Sequence, residues 1–206
     1  MKIIWSMVIG YLLGSLSPAA FISKIKRKNL KEFGTGNLGA TNTMLSFGTK
    51  CGVIVMLFDV LKAVLSVRLV RFLFPELRIA GLLAGCLAVV GHIFPFYMNF
   101  SGGKGVASFA GIILATEPDL LPVLLLVAVV LMFVTNYGVA GPISASILFP
   151  CAAGWRAQSM AVFVLLAVVG GLIIYKHVEN LRKVKCGHEV SVSDFLKGDL
   201  SADNFE

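Results

Sequence analysis

Apolar residues in this chain fall in long unbroken runs, at about residues 3–22, 52–74, 79–98, 105–116, 119–135, 139–153 and 159–175. Between them the polar residues gather in a few stretches, chiefly KIKRKNLKEFGTGNLGATN (24–42), NFSGGKG (99–105) and YKHVENLRK (175–183). Helices apolar on every side belong in a membrane or a large core, and crossing a bilayer takes roughly 20 apolar residues. The pattern predicts an all-α, polytopic membrane protein of about seven transmembrane helices, five of them full spans. The runs at 105–116 and 139–153 are short and read as half-helices or as helices that begin in a loop.

Composition strengthens this reading. Of 206 residues, 57% are hydrophobic and 14% charged, against about 25% charged in a soluble domain. The opening MKIIWSMVIGYLLGSLSPAAF has the outline of a signal peptide. A strongly basic segment and further apolar runs follow it, so it reads as a retained first transmembrane helix. Cys51, Cys86, Cys151 and Cys186 are scattered without a C-x-x-C pair, a spacing that favours neither disulfides nor zinc.

Basic residues set the orientation. Lys24, Lys26, Arg27, Lys28, Lys31 and Lys50 flank or lie in the first long loop, Lys104 in the second, and Lys176, Arg182, Lys183, Lys185 and Lys197 in the tail. The opposite side holds chiefly Lys2, Arg71, Arg78 and Arg156. The positive-inside rule makes the three basic segments cytoplasmic, which places the N-terminus outside and the C-terminus in the cytoplasm. The net charge of +7 then reflects topology and anionic lipid headgroups, with no nucleic-acid partner implied. Residues 1–185 form the expected membrane domain, and 186–206 a polar cytoplasmic tail.

The three cytoplasmic segments also carry the unusual polar sequences. In GTGNLGATN, Gly34, Gly36 and Gly39 fit G-x-G-x-x-G, and Asp59 lies 20 residues past the last of them. A dinucleotide fold needs a preceding strand and an acid outside an apolar helix, and neither condition is met. No G-K-[ST] closes the loop as a Walker A motif. Two readings remain: an anion-binding loop of turned backbone N–H groups with Thr35, Asn37, Thr41 and Asn42 as neutral donors, or a solvated loop with a helix cap. SGGKG sets Gly102, Gly103 and Lys104 at the start of an apolar helix, where lysine serves phosphate as a point charge. Alone it is a common interfacial loop; beside GTGNLGATN it forms the second side of a phosphate cradle.

In YKHVENLRK, His177, Asn180 and Leu181 share one helix side. His177 is a candidate base or neutral donor and Asn180 a candidate oxyanion donor; the alternative is a snorkelling basic helix end. Asp59 and Lys62, three apart in an apolar run, are expected to face the bundle as an ion pair or a helix-to-loop anchor. His92 reads as a hydrogen-bonded structural histidine and His188 as surface.

Taken together, GSLSP (14–18), GTGNLGATN, FDVLKA (58–63), GHIFP (91–95), GGKGVAS (102–108) and KHVEN (176–180) resemble, in order and spacing, the PlsY family of bacterial acyl-phosphate:glycerol-3-phosphate acyltransferases. The resemblance covers nearly the whole chain to about residue 185. It implies a seven-helix protein of the bacterial inner membrane with a cytoplasmic active site. It also implies acyl transfer from acyl-phosphate to the sn-1 hydroxyl of glycerol 3-phosphate, giving lysophosphatidic acid and phosphate. The implied partners are those two substrates and membrane lipid, with no cofactor, no metal, no acyl-CoA and no acyl carrier protein. By this resemblance Lys104, His177 and Asn180 are catalytic, and Thr35, Gly36, Asn37, Gly39, Thr41, Asn42, Gly102 and Gly103 bind substrate. No H-x-x-x-x-D sequence follows any histidine.

Departures are specific. Thr35 stands where the family has serine and keeps the hydroxyl. Leu45 stands where the pattern GATNxxR has arginine, and YGVAGP (137–142) lacks a serine usual in that loop. An isobutyl group cannot replace a guanidinium at a phosphate, so the alternative is a membrane binder or transporter of a phosphorylated metabolite on the same scaffold.

Overall fold

The computed structural model describes residues 1–197, and among these it forms eleven α-helices and no named strand. They divide into two compact units, Met1–Pro118 and Asp119–Glu206. The first unit holds α1 (Lys2–Ser15), α2 (Pro18–Lys26), α3 (Ala40–Phe47), α4 (Thr49–Leu73), α5 (Arg78–Ile93) and α6 (Val106–Thr116). The second holds α7 (Leu120–Thr135), α8 (Ala140–Arg156), α9 (Met160–Lys176), α10 (Val178–Cys186) and α11 (Val192–Lys197). Each of the seven apolar runs contains a helix. Of the four additional helices, α2 starts inside the first apolar run and ends in the polar segment after it, while α3, α10 and α11 begin or lie in polar segments.

The first apolar run is not one continuous helix, as its pattern suggests. Proline has no N–H and pushes its predecessor out of the helical region, so the chain breaks at Leu16–Ser17 and restarts at Pro18. Ser17 Oγ caps the new helix by accepting from Ala20 N at 3.2 Å. The broken stretch Lys2–Lys26 and the segment Arg78–Met98 are long and apolar enough to cross a membrane, and the bent pair α9–α10 makes a third candidate. At 11 residues, α6 is only about 17 Å long, as the short run 105–116 foretells.

Packing is inverted relative to a water-soluble protein. On α1 the buried residues are Ser6, Gly10, Gly14 and Ser15, while Ile3, Ile4, Trp5 and Leu12 are exposed. On α7 only Leu124 is buried, and Leu125, Leu126, Phe133 and Val134 face outward. Small residues bring membrane helices into backbone contact, since lipid offers no hydrophobic penalty to large side chains. A Cβ on Gly10 would strike the backbone of Ala84, and one on Gly14 that of Ala88, so α1 lies directly on α5. In the second unit, Gly170 on α9 meets Ser146 of α8 in the same way.

Two exposed ion pairs tie turns to helices: Lys2 to Glu76 at 2.7 Å in the first unit, and Arg156 to Asp119 at 2.5 Å in the second. The Lys2 hydrogen bond holds the Glu76 carboxyl below its ordinary value, and that from Arg156 does the same to Asp119. The near part of the polar tail folds back within the second unit. Val192 N donates to Asn136 O at 2.9 Å, and Ser193 N to Asn136 Oδ1 at 3.0 Å. Positions 198–206 of the tail lie outside the described residues.

Candidate active site

GTGNLGATN is a shaped turn that ends on a helix start. Gly34 and Gly36 take φ of +57° and +65°, a left-handed conformation costly to residues with a Cβ, and Gly36 N closes the turn on Phe33 O at 3.1 Å. Asn42 staples it from beneath. Its Nδ2 donates to Leu30 O at 2.7 Å and its Oδ1 accepts from Thr35 N at 2.9 Å. With only 1% exposure, Asn42 holds the loop's shape with the same amide that reads in sequence as a ligand donor. The Asn37 amide lies over Gly39, Thr35 and Gly36 are exposed, and Thr41 is exposed on the first turn of α3. The amides of Ala40, Thr41 and Asn42 have no partner within α3, as at any helix start.

SGGKG behaves differently from the open N–H nest its glycines suggest. Gly102 N donates to Ile93 O at 3.0 Å and Gly103 N to His92 O at 3.1 Å. Both amides therefore satisfy carbonyls that α5 leaves unpaired at its C-terminus. This closure aims the remainder of the loop: Gly105, at φ +89°, caps α6, and Lys104 sits half-buried just ahead of it. A Cβ on Gly103 would strike the His92 ring at Nε2 and lie 3.1 Å from Leu38 O. The two glycine-rich loops thus abut at Gly103, and only glycine leaves room for the histidine between them.

Beneath this junction lies a buried polar hub that the sequence shows only in pieces. Lys62 Nζ meets Asp59 Oδ1 at 2.7 Å, His92 Nδ1 at 2.9 Å and Leu16 O at 2.8 Å. Asp59, Lys62 and His92 are 2%, 3% and 8% exposed. Burying two charges is tolerable only when they are closely paired, and removing one partner costs about 3–5 kcal/mol. Leu16 is the residue at which α1 ends, so Lys62 also satisfies a carbonyl released by the Pro18 break. The expectations of an Asp59–Lys62 pair and a bonded His92 are met. That they form one cluster was not readable, because residues 16, 59, 62 and 92 come from three separate helical segments.

His177 and Asn180 belong to the second unit. The helix bends by 43° between α9 and α10, and His177 is the residue at the break, so the pair spans a corner and not one straight helix face. His177 is buried, with Nδ1 2.8 Å from Ile173 O. A carbonyl only accepts, so Nδ1 carries the proton. Asn180 Nδ2 donates to Glu189 Oε1 at 2.7 Å, a partner the sequence did not announce.

Comparisons with known proteins identify the family. The glycerol-3-phosphate acyltransferase family profile matches residues 4–198. The chain is 32% identical to the glycerol-3-phosphate acyltransferase of Syntrophomonas wolfei, over 91% of this chain and 96% of that one. It is 34% identical to the enzyme of that name from Limosilactobacillus reuteri, over 93% and 92%. Its fold is similar to a crystal structure of PlsY, an integral membrane glycerol 3-phosphate acyltransferase, in the glycerol 3-phosphate form. The TM-score is 0.84 at 31% identity, covering 98% of this chain and 100% of that one. A lysophosphatidic acid form of PlsY gives a TM-score of 0.80 at 30% identity, over 91% and 93%. With the lipid-facing helices, the paired glycine loops and a match running almost end to end, the chain belongs to the glycerol-3-phosphate acyltransferase family.

Proposed function

We propose that this protein transfers an acyl group from acyl-phosphate to the sn-1 hydroxyl of glycerol 3-phosphate at the cytoplasmic face of the bacterial inner membrane. Residues 1–185 are the membrane domain, crossing seven times with the N-terminus outside, and 186–206 are a cytoplasmic tail. The observation that carries this reading is the junction at Gly103, where two glycine-rich loops abut with Lys104 beside them. Both substrates are phosphate polyanions, and helix starts joined to a lysine are what such groups bind.

The chemistry is a direct displacement. The sn-1 oxygen attacks the acyl carbonyl, the bond from that carbon to the phosphate oxygen breaks, and lysophosphatidic acid and phosphate leave. The hydroxyl proton passes to the departing phosphate, which is basic enough to take it. An acyl-phosphate is already an activated mixed anhydride, so positioning and charge stabilisation carry most of the rate. Lys104 neutralises phosphate charge. Thr35, Gly36, Asn37, Gly39 and Thr41 line the substrate side, over the frame made by Asn42, Gly102 and Gly103. His177 and Asn180, in the second unit, are the other residues to which the family resemblance gives a catalytic role.

Purified protein is expected to release phosphate from palmitoyl-phosphate only when glycerol 3-phosphate is added, and to form lysophosphatidic acid in equal amount. Lys104→Met should lower kcat/KM by on the order of 10²- to 10³-fold, the usual cost of removing a charge-stabilising group. Folded wild-type protein that transfers no acyl group would overturn the reading. Full rate in Lys104→Met would remove that residue from the site.

A further inference from the structure

We propose that Lys62 and His92 are positioning residues: Lys62 fixes the tautomer of His92, and His92 then holds the Gly102–Gly105 loop, with Lys104, against the Leu38 turn. The inference rests on the acyltransferase reading for its kinetic consequence and on geometry for the rest.

An ammonium has three donors and no acceptor. Lys62 gives one to Leu16 O and one to His92 Nδ1, and stands 2.7 Å from Asp59 Oδ1 as an ion pair. His92 Nδ1 is therefore an acceptor, and the neutral ring carries its proton on Nε2. The Asp59 carboxylate, 3.3 Å from the same Nδ1, is then a neighbour of that nitrogen and not its hydrogen-bond partner; its role is to balance Lys62. Nε2–H is the end of the ring pressed on Gly103, at the place where the Leu38 carbonyl also arrives. The backbone of His92 grips the same loop by accepting from Gly103 N at 3.1 Å. One residue thus holds the lysine-bearing loop by ring and by carbonyl, and the buried ion pair decides which face of the ring the loop meets.

The arrangement also gives one task to motifs otherwise unrelated in sequence. Leu16 comes from GSLSP, Asp59 and Lys62 from FDVLKA, His92 from GHIFP, Gly103 from GGKGVAS and Leu38 from GTGNLGATN. None of the hub side chains is exposed enough to meet a substrate directly. Their influence on the reaction runs through the placement of Lys104, and a misplacement of about 1 Å at a reacting group can cost on the order of 10²-fold in rate.

Two substitutions separate positioning from packing. His92→Asn keeps an acceptor near the Nδ1 position for Lys62 but cannot reach Gly103. His92→Gln places an amide near the Nε2 position. In the acyl-phosphate assay, His92→Asn should lower kcat/KM by on the order of 10- to 100-fold and speed amide exchange at Gly102 and Gly103. His92→Gln should recover most of both. Nitrogen NMR of histidine-labelled wild-type protein should show His92 neutral, with the proton on Nε2. A proton on Nδ1, a charged ring, full activity in His92→Asn, or equal losses in both variants would overturn the proposal. If the wild type itself transfers no acyl group, the functional reading fails, while the tautomer and loop exchange still decide this inference.

Discussion

Leu45 lies on α3 with its side chain turned to the first glycine loop: a Cβ on Gly34 would sit 3.8 Å from Leu45 Cδ1. Position 45 therefore faces the loop, and the difference from the family arginine is not a harmless one on an unrelated helix side. A leucine there packs against the turn and offers phosphate nothing. In Leu45→Arg, a guanidinium reaching the loop gains a hydrogen bond to a charged group, worth about 1.5–3 kcal/mol. The expected result is a roughly 10- to 100-fold rise in kcat/KM for acyl transfer, measured against wild type at equal folded concentration. An unchanged rate would mean that another group already fills the position. Asn42, three residues earlier, carries the complementary lesson. In the sequence it is one donor among four in a polar loop, whereas in the fold both ends of its amide are used on Leu30 and Thr35. Residue type identifies the chemistry available; burial decides whether a ligand or the loop receives it.

At the scale of helices, α1 and α5 of the first unit meet backbone to backbone. Gly10 and Gly14 stand four apart on α1, and each lies against the backbone of an alanine on α5, while Gly91 of α5 meets the Tyr11 carbonyl of α1. The signal was present in the sequence as small residues at a spacing of four within an apolar run, although unbroken hydrophobicity hides which side of the helix it marks. This contact also positions the hub, because Leu16 at the end of α1 receives Lys62 and the end of α5 supplies His92. Gly14→Val forces branched carbon atoms into backbone, and overpacking of this kind costs about 1–3 kcal/mol. Thermal unfolding in detergent should show a lower Tm for Gly14→Val, and acyl transfer should fall with it. Gly171→Val is the matched control: no atom lies within 4 Å of a Cβ built there. Equal Tm values for the two variants would contradict the packing described here. The tail segment around Ser193 is an element the sequence did not mark, since its hydrogen bonds to Asn136 join residues 57 apart.

For the whole molecule, hydropathy made the architecture readable, because lipid acts on every outward side chain at once. Long apolar runs are consequently a direct record of which segments are helical. The glycine loops were legible as well, being rare sequences in a chain otherwise built of Leu, Val, Ala and Ile. The break at Pro18 is masked by the apolar run around it, and the hub at Lys62 depends on tertiary contacts that no local pattern encodes. Orientation is a global property of the same kind as hydropathy, and the second unit offers a clean place to measure it. Its α9 ends at Lys176 and leads into α10, which carries Arg182, Lys183 and Lys185, whereas the turn between α8 and α9 has Arg156 already paired with Asp119. Basic residues resist translocation, so α10 should stay in the cytoplasm and the α8–α9 turn should emerge outside. Cys186, exposed at the end of α10, can report one side if it is kept as the sole cysteine, and Ala157→Cys in a cysteine-free background can report the other. A membrane-impermeant maleimide should label Ala157→Cys in intact cells and Cys186 only in inverted vesicles. The opposite pattern would place the basic face outside, away from any cytoplasmic acyl-phosphate, and would remove the topological support for the proposed reaction.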